Sequence, residues 1–525
     1  MIKFFVLIIA LVIFSSGHSQ DIKIEQDSVL EKYLTRISKV ELEENLAVIS
    51  SDSLKGRETG KPGQKKAANY IVQKLDEYGV SGGGDSLGYY QRFKLYKPQY
   101  KEIYQIFNND TLKSWKDFYT FTTSNDTVYN GKGISFLGFG IESDTYSDYD
   151  SEVVYRGMGV IFAGEPYSKG QYTITQGDNP SEWSENIQLK VDVARQKGLS
   201  ALVIIDEQFD NILPRVVYYQ KNSRPRLTSF DNSEFPVLVM GPAQFSSFFP
   251  KLNYERTLSK LNNLKKIKNS NSSERWSVHF NTSEEILSSE NVLGIIEGKE
   301  SSDEFVFVTA HYDHLGAKGE DIYNGADDDG SGTAALLEMA RIFSIAADSL
   351  DSFPNRSLVF LWVSGEEKGL LGSKYYTDNP IYPLSETVVD LNIDMVGRRD
   401  TLHTESDSAY IYLIGSDKLS SDLHYLSEQV NDVYSKYELD YTYNDDQHPS
   451  RLYYRSDHYN FAKHNIPVIF YFGGMHEDYH KPSDVLEEID FDILSGVTRL
   501  VMATSWHIAS AEKRIEVDKP VKLVH

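Results

Sequence analysis

The chain has 525 residues, with 53 lysine and arginine against 77 aspartate and glutamate, a formal net charge of −24 and no cysteine. That length suits two or three domains, and 40% apolar with 13% aromatic residues supplies buried cores, so wholesale disorder is excluded. So acidic a balance argues against nucleic acid as a partner, because a polyanion is repelled before specific contacts form, and against docking on anionic lipid. Without cysteine there are no disulfide frameworks, thiolate catalysts, cysteine zinc fingers or iron–sulfur clusters, so any metal must be held by histidine and carboxylate.

The first residues read Met-Ile-Lys, an apolar run over 4–14, then Ser-Ser-Gly-His-Ser-Gln. One positive charge, a short apolar stretch and a small-residue exit are the layout of a secretory signal, and a membrane span needs about 20 apolar residues. Residues 1–20 are therefore expected to be a signal peptide cleaved near 17–20. The mature protein is expected to be periplasmic or extracellular, with no membrane association. Residues 40–80 predict helices, with Leu42, Leu46 and Ile49 on one face and Ala67, Ala68, Ile71 and Leu75 repeating the spacing before Gly79. From about 118 to 250 the pattern changes to short glycine-punctuated strands over 133–140, 153–163, 201–205 and 236–240, with a helix over 186–197. The basic, Asn/Ser-rich stretch 251–275 reads as a connector, part helix and part loop. After 290, buried-type strands over 304–310, 357–363, 388–394, 410–414 and 467–472 alternate with helices near 332–347, 418–436 and 487–510. That alternation predicts an α/β fold with a mixed, largely parallel sheet flanked by helices.

In such sheets ligands bind beyond the carboxyl ends of the strands. Here those ends carry His311-Tyr312-Asp313-His314, then Gly325-Ala326-Asp327-Asp328-Asp329-Gly330-Ser331-Gly332, Gly365-Glu366-Glu367-Lys368-Gly369, Asp394-Met395, and Asp478-Tyr479-His480-Lys481. Acidic loops are ordinary in an acidic protein, and any one of these segments would mean little. All five in order, each at or near a strand exit, point to a cation, because clustered carboxylates repel one another unless neutralised. Histidine and carboxylate suit zinc or a similar divalent ion. Three ligand carboxylates and one hydroxide balance two divalent ions with neutral imidazoles. A hydrolytic pair of this kind also needs a carboxylate that moves the proton from water to leaving group, and the Glu366-Glu367 pair supplies one base and one ligand.

The ordered motifs His-x-Asp, Gly-Ala-Asp-Asp-x-x-Ser-Gly, Gly-Glu-Glu-x-Gly-Leu-x-Gly-Ser, Asp-Met and Tyr-His resemble the co-catalytic di-zinc exopeptidases. That family includes secreted bacterial leucine aminopeptidases, aminopeptidase Y, glutamate carboxypeptidase and glutaminyl cyclase. Gly56-Arg57, Gly372-Ser373, Ser456-Asp457-His458 and Gly473-Gly474 are further matches. The resemblance implies two zinc ions per chain. Asp328 would bridge them, His311 and Asp394 would complete one site, and Glu367 and His480 the other, with Glu366 as general base and acid. Asp313, on the same strand face as His311, is expected to orient its imidazole. The family's oxyanion donors lie near the Ser-Asp-His segment, which makes Tyr453 the candidate here and Tyr454 the alternative. His314, His424, His448, His464 and His476 read as surface or packing residues, and His458 as structural. Asp327 and Asp329 read as shaping the turn or hydrogen-bonding nearby groups.

The middle segment resembles a protease-associated domain through Phe136-Leu137-Gly138-Phe139-Gly140-Ile141, residues 157–163, and 190–206 ending in Leu202-Val203-Ile204-Ile205-Asp206. The expected division is signal peptide 1–20, catalytic domain 21–118 and 271–515, β-rich insert 119–270 and tail 516–525. The function implied is a secreted metallo-aminopeptidase acting on peptides. A carboxypeptidase is the alternative, for which Arg398, Arg399, Arg451 and Arg455 could clamp a terminal carboxylate. Glutaminyl cyclisation with a single zinc is a further one.

Overall fold

The computed structural model describes residues 24–520 apart from 108–109, 123, 151–152, 154, 231–234, 266, 268–270, 352 and 404–408. The expected signal peptide, 1–20, lies outside the described residues, as do the last residues of the expected tail. The chain forms two compact units, Met1–Lys94 with Ser288–His525, and Leu95–Leu287. The second unit is wider than 119–270 because most of the strand Tyr90–Phe107 and the first part of the strand Asn271–Ile296 belong to it. No helix among the described residues is long and apolar enough to cross a membrane.

In the first unit the strands lie in the order Glu438–Asp440, Tyr410–Ile414, Val468–Phe472, Thr387–Asp394, Ser301–His311, Arg356–Val363 and the end of Asn271–Ile296. The central four are mutually parallel. Tyr410–Ile414 and Asn271–Ile296 pair with them antiparallel, which makes the sheet mixed but largely parallel. A strand in such a position is covered on both faces, so it reads as a continuous apolar run instead of an alternating one. All eight residues of Arg356–Val363 are buried. Along Ser301–His311 the period of two still sorts the side chains: Val306, Val308 and Ala310 enter one core, Phe305 and Phe307 the other.

The first core is closed by the helices Lys39–Ile49, Pro62–Glu77, Gly332–Ser349 and Phe491–Ser510. Pro62–Glu77 begins with proline at its first turn, buries Ala67, Ala68, Ile71 and Leu75, and ends where Gly79 takes φ +73° and Val80 N donates to Leu75 O at 3.0 Å.

The second unit is also a mixed sheet, in the order Asn271–Ile296, Thr127–Phe136, Met158–Phe162, Ala201–Ile205, Val237–Met240 and Tyr119–Thr120. Its middle strands are parallel, and the helices Ile187–Gln196 and Phe209–Lys221 accompany them. The second of these helices was not anticipated, because Pro214 sits inside it and masks the helical spacing.

Candidate metal centre

The parallel strands of the first unit deliver their chemistry at one edge. His311 ends Ser301–His311, and Asp394 ends the neighbouring Thr387–Asp394, in register with Phe472. Glu366 and Glu367 follow Arg356–Val363 across a turn at Gly365, where φ is +89°. Asp328 lies in the turn before Gly332–Ser349, and His480, at φ +59°, follows Val468–Phe472.

These side chains come together as two groups sharing one carboxylate. Asp328 Oδ1 is 3.3 Å from His311 Nε2, which is 3.6 Å from Asp394 Oδ1. Asp328 Oδ2 is 3.2 Å from His480 Nε2, which is 3.4 Å from Glu367 Oε2. Ligand atoms about 2.0–2.2 Å from a tetrahedral zinc lie roughly 3.3–3.6 Å apart, so both sets fit such an ion. Glu367 Oε1 is buried without a hydrogen-bond partner, as expected of a carboxylate built to face a cation.

The electrostatics make the same demand for positive charge. Burial opposes ionisation of Asp328, yet His314, His311 and His480 hold it well below the ordinary carboxylate range. Burial and Asp328 push Glu367 up, but His314 and His480 bring it down to about 2. His480, although partly desolvated, is raised to about 10 by Asp328 and Glu367. Glu366 behaves in the opposite way. Burial pushes its carboxyl well above the usual range, and Glu367, Asp457 and Asp394 add to that against the pull of His311.

Main-chain and polar anchors hold the groups in place. Asp329 Oδ2 accepts His311 N at 3.2 Å, and its Oδ1 accepts Gly332 N at 2.9 Å and Met395 N at 3.1 Å, tying two strand ends to a helix start. A Cβ on Gly332 would lie 2.5 Å from that carboxylate, so only glycine fits there. The Asp484 carboxylate accepts the backbone N–H groups of Asp327 and Asp328, while Asp327 Oδ1 accepts Gly397 N at 2.6 Å. Arg57, fully buried, donates to the carbonyls of Tyr312, Ile49, Asn324 and Gly325. Ser456 Oγ donates to Asp394 Oδ2 at 2.7 Å.

Three sequence expectations change. The Asp313 carboxylate does not orient the His311 ring. His311 Nδ1 faces the Asp313 backbone carbonyl at 3.1 Å, while the carboxylate accepts Thr59 Oγ1 at 2.5 Å and Glu366 N at 3.2 Å. It therefore steadies the Glu366 turn. Tyr453 does not line the cavity over the cluster. Its ring packs against Tyr454, His458 and Tyr459 and lies beside Gly415. Tyr479 and Arg455 do line that cavity, together with Met395, Phe470, Phe472 and Met475. Tyr479 stacks on His480 with ring centroids 3.8 Å apart, and it was visible in the Tyr-His motif but read only as spacing. His314, expected among surface or packing residues, is completely buried with Nδ1 2.7 Å from Glu367 Oε1.

Among the described residues the other histidines lie apart from the two groups. His424 and His448 sit beside Ser416 and Ser450, and His476 faces Asp327 Oδ2 at 3.4 Å. His458, lowered to about 3 by burial, is a neutral packing residue against Phe470. Of the four arginines, Arg398 pairs with Asp478 at 2.8 Å, Arg399 and Arg451 lie over tyrosine rings, and Arg455 is on the cavity wall.

A largely parallel α/β sheet thus carries, at one edge, His–carboxylate groups able to hold a metal ion, with a separate glutamate beside them. Residues 291–505 match the model of Peptidase family M28. Aminopeptidase YwaD of Bacillus subtilis is 31% identical over 235 residues, 43% of this chain and 46% of that protein. A probable leucine aminopeptidase of Trichophyton verrucosum is 28% identical over 226 residues, 42% of this chain and 58% of its own. The chain spans about half the length of the curated relatives it matches. Among solved structures, an aminopeptidase from Aneurinibacillus sp. strain AM-1 aligns with a TM-score of 0.45 at 18% identity, covering 94% of this chain and 98% of that one.

Proposed function

We propose that the protein is an exported zinc-dependent exopeptidase, an aminopeptidase that removes N-terminal residues from peptides at a pair of zinc ions. The observation that carries this reading is the divided carboxylate of Asp328, one oxygen toward His311 and the other toward His480, with Glu366 beside it on the cavity wall. In this reading His311, Asp328 and Asp394 hold one ion, and Asp328, Glu367 and His480 the other. Zinc held there supplies Lewis acidity toward the scissile carbonyl and a water acidic enough to ionise near neutral pH.

Glu366 would act as the general base toward the attacking water and as the acid toward the leaving amine. Asp313 keeps it in place through the Glu366 backbone N–H. Tyr479, which lines the same cavity, takes the role of oxyanion donor in this reading. Met395, Phe470 and Phe472 offer an apolar wall to the first side chain of the substrate, and the carboxylates attract its free ammonium group. The aminopeptidase names of the relatives support this assignment. The second unit is taken as the protease-associated insert.

Glu366→Gln should retain both zinc ions and lose about 10²–10⁴-fold in kcat. Hydrolysis near the wild-type rate with full metal content would end the proposal. Arg455 on the cavity wall favours one second reading, a carboxypeptidase. An N-terminally blocked peptide and a C-terminally amidated one separate the two, since an aminopeptidase cleaves only the latter. The single-zinc cyclase alternative gains no support from a site with two complete ligand groups.

A further inference from the structure

His314 lies three residues beyond His311, with its side chain completely buried. A buried imidazole ordinarily satisfies both ring nitrogens, because leaving either unpaired forfeits its hydration without replacement. Neither nitrogen of His314 has a hydrogen-bond partner. Its Nδ1 is nevertheless 2.7 Å from Glu367 Oε1, an oxygen that is itself buried and without a partner. Two polar atoms this close that do not hydrogen-bond have their lone pairs and N–H directions aimed past each other. An ion between them would open the pair from 2.7 Å toward the roughly 3.3–3.6 Å separation of zinc ligands, each directing its lone pair at the ion and not at its neighbour.

The surroundings are shaped to admit the ring. Gly325 stands against it at φ +56°, and a Cβ there would lie 2.5 Å from the His314 Cδ2 and 2.2 Å from the carbonyl oxygen of Asp328. The backbone N–H of His314 donates to Arg57 O at 3.3 Å, anchoring the residue to the buried arginine. Nδ1 is 3.9 Å from Asp328 Oδ2, and ligand atoms of His314, Asp328 and Glu367 lie within 4.8 Å of one another. His480 approaches the same two carboxylates from the other side, with the two rings 5.9 Å apart.

We infer that His314 is a fourth protein ligand of the ion held by Asp328, Glu367 and His480, which makes the two metal sites unequal. This rests on the two-ion reading above. Four protein ligands form the closed set found at retained zinc ions, whereas three leave a position open. The His311–Asp328–Asp394 site is then the open and labile one, and the His314–Glu367–His480 site keeps its ion when the other is stripped.

The test is graded chelation of the full-length zinc-loaded protein, followed by metal analysis and zinc X-ray absorption. Wild type should pass through a state with one zinc per chain, and that zinc should see two imidazoles. In His314→Gln the remaining zinc should see one imidazole. That variant should also need at least about ten-fold less chelator to lose its last ion. A single imidazole around the retained zinc of wild type would overturn the inference while leaving the two-ion reading standing. A protein that never binds more than one zinc would instead defeat the two-ion reading itself. The wild-type spectrum decides the matter even if the variant does not fold.

Discussion

Ser456 gives its hydroxyl to Oδ2 of Asp394 at 2.7 Å, which leaves Oδ1 of the same carboxylate to face His311 Nε2 at 3.6 Å. The serine in turn accepts from Asn392 Nδ2 at 2.9 Å, and Asn392 Oδ1 lies 2.8 Å from Thr309 Oγ1. Asp390, whose carboxyl burial raises far above its usual range, stands 2.9 Å from that same threonine hydroxyl. The oxygen that faces His311 is thus selected by a row of hydrogen bonds reaching into the sheet. Ser456→Ala should weaken zinc binding by about 10–100-fold and lower stability by about 1–3 kcal/mol. Chelator competition and denaturant melts measure the two effects, and unchanged zinc retention would remove the role given to the serine.

Tyr479 and Tyr453 provide a contrast within one residue type. Tyr479 lines the cavity beside His480, whereas Tyr453 packs among other rings. Tyr479→Phe should keep its zinc and its KM while kcat falls by about 10²-fold or more. Tyr453→Phe should leave kcat within about two-fold, since a phenyl ring keeps the packing and gives up only an uninvolved hydroxyl. Equal losses in the two variants would contradict the assignment.

In the second unit, burial raises the Asp148 carboxyl to about 6, although the Tyr146 hydroxyl and the N–H groups of Ile141 and Phe139 all donate to it. The folded chain therefore holds this proton more tightly than the unfolded chain does. Its stabilising contribution is complete below the ordinary carboxylate range and is lost as pH rises through about 6, amounting to roughly 3 kcal/mol. Asp148→Asn has no such proton to lose. Between about pH 4 and pH 7 wild type should lose this amount relative to the variant. Denaturation curves that run parallel over that range would count against it.

Removing zinc should lower the melting temperature as well as abolish hydrolysis, because the crowded carboxylates lose their counter-charge. An ion present at about a thousand times its Kd adds roughly 4 kcal/mol to the folded state. Scanning calorimetry with and without chelator, then with zinc restored, tests this. A melt indifferent to the chelator would be inconsistent with a tightly held pair.

Much of the site was legible because fully covered parallel strands announce themselves as apolar runs, and whatever polar residue ends such a run stands at the sheet edge. His311 and Asp394 were placed on that ground. Direction off the strand was not legible. Tyr453 and Tyr454 share a short helical turn, Leu452–Tyr454, and nothing in their spacing from Ser456 says which ring turns away from the cavity. His314 was passed over because it lies outside the quoted motif. Its burial depends on Gly325 and Arg57, both distant in sequence. The strand Tyr90–Phe107 was hidden because Gln91 and Gln105 occupy buried positions that an alternating pattern expects to be apolar.

The three backbone N–H groups gathered by Asp329 belong to His311, Gly332 and Met395. Because the clasp acts on main chain, the spacing between the backbones of His311 and Asp394 is fixed before any side-chain rotamer is chosen. A site of that stiffness discriminates by ionic radius. Cobalt, close to zinc in size and tolerant of the same ligands, should enter with little adjustment, whereas calcium, whose oxygen ligands stand about 2.3–2.6 Å away, would have to spread two strands apart to be held.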